Sequence, residues 1–438
     1  MRQTQPDTHT PLSDPPADPP PGAASGPGPS APGAVAEAAC GYWRRRGLPT
    51  APDQVVAAPT APLLLLALLA ATGGEGGGGG VVLPRPGAAW HAAQARLLDR
   101  PVHPVPVPAE CGGVPDPFAL LETVGRARAD GGDPRVLVLS VADDLTGTAA
   151  PPELLHEVCE AAAQEGLLVV SDESLRDASH DPRHDTVVVS PAEILHRTGP
   201  LADGGVGGGT GGGASGTPGD SAVVLVDLGA DPEYAPASGV RAGVARLPAT
   251  GRGQALGEGM RAALAALRAR LDGPAAAAAA EVLGEPRWLR DRRAAVNRAR
   301  GTLATALHHA LTGVGAVCRP PHAGRHLYPD FEALRPGLAA RGIVDAPRLE
   351  AELVRRLGPY ALGGHRFGDD PRALRVRLST DVLTRGVSPG AASVTAPSDS
   401  AAPPGPDAPP VAPVPVEQPD TTGTLTEVTS ALTELTAG

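Results

Sequence analysis

Residues 152–173 read PELLHEVCEAAAQEGLLVVSDE, a stretch in which a helical pattern runs directly into a strand pattern. Apolar side chains recur at helical spacing from Leu154 to Ala162 and share one face of a helix over Pro152–Glu165. The continuous apolar run Leu167–Ser171 predicts a strand that is buried on both sides. A helix followed by such a strand is the repeating unit of an α/β fold with a mostly parallel sheet.

The same alternation continues in both directions along the chain. It predicts a large α/β domain whose helices cover both faces of the sheet, followed by a smaller α/β region over residues 314–378. The other predicted strands are Gln54–Ala58, Val81–Leu83, Arg135–Ser140, Thr186–Val189 and Ala222–Val226, and the later predicted helices are Gly257–Leu271, Arg287–Leu311, Phe331–Arg341 and Ala346–Leu357.

Both ends of the chain are rich in Pro, Gly and Ser and lack apolar periodicity, which is typical of disorder. The last stretch differs, because apolar residues from Leu425 to Leu435 recur at helical intervals. We therefore expect four parts: a disordered tail over 1–36, an N-terminal arm with a large domain over 37–285, a small C-terminal domain over 286–388, and a disordered tail over 389–438 with a short terminal helix.

The charged residues limit the possible chemistry. The 438 residues include 37 Arg, 48 acidic residues and no Lys, for a net charge of −11. Without a lysine amine, no side chain can form a Schiff base. The acidic balance argues against nucleic-acid and anionic-membrane partners. The most apolar run, Pro62–Ala71, is about half the length of a membrane span, and no signal-peptide pattern opens the chain, so we expect a cytoplasmic protein.

Six short segments occur in an order that resembles the class I/II aminotransferases, the pyridoxal-phosphate enzymes of fold type I. The resemblance covers about 350 residues and implies a seven-stranded large domain and a small C-terminal α/β domain. The segments are PDQVV (52–56), VVLPRP (81–86), DDLTG (143–147), VVSDE (169–173), SGVRAG (238–243) and LRVRLS (374–379).

The resemblance also implies roles for individual residues. Asp172 occupies the place of the aspartate that pairs with the pyridinium nitrogen, Arg241 that of a phosphate-binding arginine, and Arg377 that of the arginine that clamps the substrate carboxylate. The position of the Schiff-base lysine falls on Glu233, within a register uncertainty of one or two residues. Asp172 is equally explained as a strand-end cap, and both arginines as structural ion-pair residues.

Four further positions depart from the family pattern. Ala88 stands where an aromatic ring stacks on the cofactor, and Leu175 replaces a tyrosine donor. Asp144 replaces the asparagine that donates to the phenolic oxygen, and an ionised Asp only accepts. In the phosphate-cradling turn, Pro62 has no N–H to donate, and Thr60 keeps a hydroxyl that can.

Together these positions predict a degenerate aminotransferase homologue that no longer transaminates and acts as a binding or regulatory subunit. The alternative is an enzyme that holds pyridoxal or pyridoxamine phosphate non-covalently and acts on an amino acid or a related amino/oxo compound, with Glu233 as a base only if burial near Asp144 favours its protonated form. The resemblance implies a homodimer, or a heterodimer with an active paralogue, and an amino-acid-like ligand. For the histidine pair His180/His184 we favour a solvated loop over a metal site, because Pro182 argues against a helix there. His322 and His326 fall near the place of the family's substrate-side loop, and we favour no ligand role for them; we expect no metal site.

Overall fold

The computed structural model describes residues 31–73, 79–108, 113–180, 188–197, 222–230, 240–385 and 421–436. Its main feature is a seven-stranded sheet in the order β1-β9-β8-β7-β4-β2-β3, in which β9 runs antiparallel to both of its neighbours and the five strands from β8 to β3 are parallel. These strands are β1 Val55–Ala58, β2 Gly80–Arg85, β3 Val102–Pro106, β4 Pro134–Ser140, β7 Leu168–Asp172, β8 Ala222–Asp227 and β9 Gly243–Arg246.

Helices cover both faces of this sheet. Alternate residues of β4 enter opposite cores: Leu137 joins one apolar cluster and Val138 the other. The helices are α1 Ala31–Arg45, α2 Ala61–Thr72, α3 Ala89–Leu97, α4 Pro117–Ala129, α5 Pro152–Gln164, α6 Pro191–Arg197, α7 Gly251–Ala266 and α8 Gly273–Gly284. The α/β fold predicted from the sequence is confirmed, and no helix within the described ranges is long and apolar enough to cross a membrane.

A smaller layer of structure follows the 27-residue helix α9, Arg287–Gly313. A three-stranded antiparallel sheet in the order β10-β12-β11 packs against this helix and against helices later in the chain. The elements are β10 His326–Leu327, α10 Arg335–Ala340, α11 Ala346–Leu357, β11 Ala361–Gly363, β12 Val376–Ser379 and α12 Thr422–Thr436. Val428, Leu432 and Leu435 of α12 are fully buried in this second core.

The register of the parallel strands places polar residues at one edge of the large sheet. Ser140 at the end of β4 lies opposite Asp172 at the end of β7. Asp227 ends β8 on the same side and lies opposite Gly243 of β9. Ligands of parallel α/β sheets bind outside the carboxyl ends of the strands. This edge is therefore where the fold places a site.

Some local predictions differ from the structure. The sequence patterns did not predict β3 or β9. β3 contains Pro104 and Pro106, which are tolerated because it is an edge strand. The predicted strand Thr186–Val189 is not present as a strand over the residues that the structure describes. Thr186 and Val187 lie outside the described residues, and Val188 and Val189 lie in no strand and pack on the core. Helix α7 begins at Gly251, six residues before the predicted start, because the Thr250 hydroxyl caps it by accepting from the Gly253 amide.

We predict that α12 contributes to the stability of the C-terminal core. Leu432→Ala should lower the free energy of unfolding by about 2–5 kcal/mol, because it removes a fully buried side chain and leaves a cavity. Urea unfolding followed by circular dichroism measures the change. Ser430→Ala, on the exposed side of the same helix, is the control and should change the value by no more than about 0.5 kcal/mol. Equal values for the two variants would contradict the packing of α12.

Candidate active site

A cavity of about 610 Å³ opens between the carboxyl edge of the large sheet and the small C-terminal sheet. Residues at the ends of β4, β7 and β8 and in the first turn of α2 form one wall, and residues of the C-terminal region form the other. The polar and charged lining residues are Ser140, Asp143, Asp144, Asp172, Ser174, Asp227, Arg325, His326, Tyr360, Arg377, Ser379 and Asp381.

Asp172 lies at the position that the sequence predicted for a pyridinium partner, at the end of β7 and in the cavity wall. Its Oδ1 accepts from the Ser174 amide at 3.0 Å and from the Ser174 hydroxyl at 2.6 Å. Burial raises the pKa of Asp172, and the nearby charges of Asp227 and Asp144 also raise it against these hydrogen bonds. Asp172 therefore both caps the turn that follows β7 and lies in the wall of the cavity.

The first turn of α2 is satisfied by the protein itself. The Asp227 carboxylate accepts from the Ala61 amide at 3.1 Å and from the Gly229 amide at 2.9 Å. The Thr60 hydroxyl, predicted to bind a phosphate, caps the helix by accepting from the Leu63 amide at 3.4 Å. Burial raises the pKa of Asp227, whereas the two amides lower it. A carboxylate at a helix amino end is stabilised by the helix dipole.

Asp144 and Arg377, both predicted as site residues, contact each other. Arg377 Nη1 donates to Asp144 Oδ2 at 3.0 Å, and the other carboxylate oxygen lies 2.9 Å from His326 Nδ1. Burial raises the pKa of Asp144, but the bond from His326 and the charges of His326 and Arg377 outweigh it and hold the pKa below its ordinary value. The guanidinium of Arg377 also lies 4.9 Å from the centre of the Phe367 ring.

The backbone of His326 lies against a short hairpin formed by β5 (Ala142–Asp143) and β6 (Thr148–Ala149). This contact depends on a glycine in the hairpin. Gly147 has a φ of +69°, and a Cβ there would lie 2.0 Å from the His326 carbonyl oxygen. The Gly147 carbonyl accepts from the amides of His322 and Ala323. Only glycine allows both the turn and this contact, so Gly147 positions the loop that carries His326.

Asp143, beside Asp144, has no cationic partner within the described chain. Its carboxylate accepts from the Thr146 hydroxyl at 2.8 Å and from the Leu145 amide at 3.2 Å. Burial raises the pKa of Asp143 to about 6, although these two bonds lower it. Asp143 therefore changes its charge near pH 6, above the usual range for an aspartate.

The remaining predicted residues are not all at the cavity. Arg241 is exposed and is not among the lining residues, and Glu233 lies outside the described residues. Ala230, three positions before Glu233, lines the cavity. Ala88 and Leu175 do so as well, together with Trp90, whose ring meets His91 edge-on at 4.2 Å.

Several polar groups of the cavity were not predicted from the sequence, among them His326, Asp227 and Asp143. No ligand role was predicted for His326, yet its Nδ1 lies 2.9 Å from a carboxylate oxygen of Asp144. Asp227 could have been found from its position at the end of a predicted buried strand, as Asp172 was. Asp143 gave no signal in the sequence beyond its place beside Asp144. Asp143 is distinguished only in the folded structure, where burial raises its pKa.

We predict a pH-dependent effect of Asp143→Asn. Between pH 3.8 and 6 the unfolded state has already lost the Asp143 proton and the folded state still holds it, so this residue makes folding less favourable as pH rises. The variant should match the parent near pH 3.5 and exceed its free energy of unfolding by about 1–3 kcal/mol at pH 8. Urea unfolding at a series of pH values measures this difference, and Asp130→Asn, at an exposed position, should show no such trend.

Comparisons with known proteins agree with this architecture. Residues 27–189 match the family Aminotransferase class I and II. No curated protein sequence matches the chain. Similar solved structures include a tetra mutant of Thermus thermophilus aspartate aminotransferase (TM-score 0.65, 17% identity, 92% of this chain and 87% of that one) and N-succinyldiaminopimelate aminotransferase from Mycobacterium tuberculosis (TM-score 0.64, 20% identity, 93% and 85%).

A third solved structure, aspartate aminotransferase from Rhizobium meliloti, has a TM-score of 0.63 and 16% identity over 92% of this chain and 81% of that one. At these identities the structures establish the fold, and the match over residues 27–189 establishes the relation in sequence. Pyridoxal phosphate is the cofactor that the family implies. Over its N-terminal region the sequence matches the model of the class I and II aminotransferase family, and the described residues share the fold of solved aminotransferases.

Proposed function

We propose that this protein is an aminotransferase homologue that forms no covalent bond to pyridoxal phosphate, does not transaminate, and acts as a binding or regulatory subunit. One observation carries the proposal: none of the 438 residues is a lysine. The internal imine of the family needs a primary amine on a side chain, and arginine does not replace it, since its guanidinium remains protonated. No shift of the alignment around Glu233 would supply the missing lysine amine, because the sequence contains no lysine.

The phosphate end of the cavity also fits the cofactor poorly. Helix amino ends bind phosphate through free amides. Here the Ala61 amide donates to Asp227, the next residue is Pro62, and the Leu63 amide donates to Thr60. The Asp227 carboxylate holds the place that a phosphate needs, and a second anion would be repelled. Arg241, the predicted phosphate arginine, is exposed and outside the cavity wall.

Arg377, the predicted carboxylate-binding residue, is likewise paired with a side chain of the protein itself. Asp144 accepts from Arg377 at 3.0 Å, so a ligand carboxylate has to displace Asp144 before it reaches the guanidinium. Asp144 is more than half exposed at its side chain, and this displacement needs no opening of the core. Pyridoxal phosphate therefore fits this cavity less well than an uncharged or amine-bearing ligand does.

An amino acid suits the distribution of charge in the cavity. Its carboxylate would take the place of Asp144 on Arg377, and its ammonium group would lie towards the carboxylates of Asp143, Asp172 and Asp227. Opposite charges at the two sides of one cavity are the complement of a zwitterion. As the family resemblance implies, we propose that the subunit works in the cytoplasm as a homodimer or beside an active paralogue.

A second candidate is an enzyme that binds pyridoxamine phosphate without a covalent bond. The position of Asp172 at the end of β7 favours it, because a buried carboxylate there can pair with a pyridinium nitrogen. On this hypothesis, pyridoxamine phosphate should bind in an absorbance titration, and Asp172→Asn should weaken the binding. Failure of the parent protein to bind would exclude this candidate.

We predict that incubation with pyridoxal phosphate followed by borohydride reduction gives no side-chain adduct. The α-amino group of Met1 is the sole primary amine of the printed chain, and peptide mapping by mass spectrometry separates a reaction there from one at the cavity. A second sample, incubated with pyridoxal phosphate and not reduced, should show no amino-acid-dependent conversion of a 2-oxo acid. A lysine-containing aminotransferase is the positive control, and turnover by this protein would refute the proposal.

We also predict that Asp144→Asn strengthens the binding of a small carboxylate. The substitution removes the charge that Arg377 now pairs with, and one charge-assisted hydrogen bond corresponds to about a tenfold change in affinity. Calorimetric titration with succinate measures it. Asp381→Asn removes another carboxylate from the cavity wall without touching Arg377 and serves as the matched control. An equal gain in both variants would assign the effect to net charge and contradict a specific clamp.

A further inference from the structure

We propose that a second cavity of this protein, separate from the candidate active site, binds a small anion that carries a phosphate or carboxylate group. The cavity measures about 700 Å³ and lies beside the edge strand β3, between helix α3 and the short 3-10 helix Gly364–Phe367. It shares only Ala88, Ala89 and Phe367 with the first cavity. The inference does not depend on the proposed function.

The charge of this cavity has one sign. Among the described residues that line it are four arginines and two histidines, and none of the described lining residues is acidic. The cationic and histidine residues are Arg85, Arg96, Arg100, Arg366, His91 and His365. Arg366 has its charge matched by a two-pronged contact to Glu350 at 2.7 and 2.9 Å, and Nε2 of His365 lies 3.9 Å from the same carboxylate. Within the described ranges, Arg85, Arg96 and Arg100 have no carboxylate within salt-bridge distance.

Arg100 is the strongest sign of a missing anion, because it is 97% buried and still has no carboxylate partner among the described residues. Its guanidinium donates to neutral acceptors: the carbonyls of Gly79 and Leu69 and the Thr72 hydroxyl. One nitrogen, Nη2, has no hydrogen-bond partner in the described chain. A buried cation without a counter-charge is unfavourable, and burial lowers the pKa of Arg100 accordingly. An anion in the cavity would supply the missing charge.

A second buried polar nitrogen without a partner also points to a missing ligand. His91, on the first turns of α3, is 95% buried, and its Nε2 has no partner among the described residues. A buried polar nitrogen without a partner costs about 1–3 kcal/mol, so it indicates a partner that the described residues do not provide. The Nδ1 of His365, across the cavity, is buried and without a partner in the same sense. These unsatisfied groups come from two different regions of the fold.

The rest of the lining defines the kind of ligand. Leu83, Pro101, Val102 and the Phe367 ring supply apolar surface next to the arginines. A cavity of this volume holds far more than a single ion. It therefore fits a small molecule with an anionic group at the arginines and an apolar portion against the prolines and the ring. Phosphate and carboxylate are both suited to guanidinium forks.

Calorimetric titration of the full-length protein with inorganic phosphate, and separately with citrate, tests the inference. We expect saturable binding of at least one of the two anions at low salt. Arg96→Gln, at an exposed rim position that leaves the fold undisturbed, should weaken it about tenfold, the loss of one charge-assisted contact. Arg252→Gln, on the exposed part of α7, removes the same charge elsewhere and should leave binding unchanged.

Two further variants distinguish the cavities and guard against misfolding. Arg377→Gln removes the arginine of the first cavity and should not alter the affinity for the preferred anion. His91→Leu keeps the volume of a buried side chain and should weaken binding while the unfolding transition is retained. No binding of either anion, equal weakening by Arg96→Gln and Arg252→Gln, or a loss confined to Arg377→Gln would each overturn the inference. Preference for phosphate or for citrate assigns the anionic group of the ligand.

Discussion

The contact between β9 and the first turn of α2 is the constraint on which the arrangement of the site depends. A Cβ on Gly243 would lie 2.5 Å from the Ala61 nitrogen, so the strand can approach the helix only because this residue is glycine. β9 pairs with β8 through Gly243 and Asp227, and this pairing carries the Asp227 carboxylate to the amino end of α2. A hydrogen bond of 3.1 Å then joins the sheet to the helix. The close contact between β9 and α2 therefore places Asp227 and Ala61 together in the wall of the candidate active site.

The two cavities differ in how their charges are compensated. In the candidate active site the protein supplies both partners of each contact: Asp227 with the Ala61 amide of α2, and Asp144 with Arg377 and His326. In the second cavity Arg100 and His91 each have a buried nitrogen without a partner among the described residues. Since buried polar groups in native proteins are nearly always satisfied, the second cavity indicates an external partner and the first does not require one.

Much of the fold followed from the sequence because continuous apolar runs such as Leu167–Ser171 leave few alternatives to a buried parallel strand. Edge elements were harder to predict, and β3 carries prolines that weaken the strand signal. In the site, Asp144, Asp172 and Arg377 were found because each lies in a short motif with a fixed place in the family. Asp227 and His326 were not, because their importance arises from the residues that face them across long intervals of sequence.

The missing lysine also bears on how the fold is maintained. A ligand that binds only the folded state adds to its stability, and an aminotransferase fold that lost its covalent cofactor would lose that contribution. Here the Asp227 carboxylate satisfies the helix that a phosphate would bind, and Asp144 satisfies the arginine that a substrate would bind. These internal carboxylates replace the missing anions by charge and by position. Under the function proposed above, these two internal contacts account for a fold that is maintained without the cofactor.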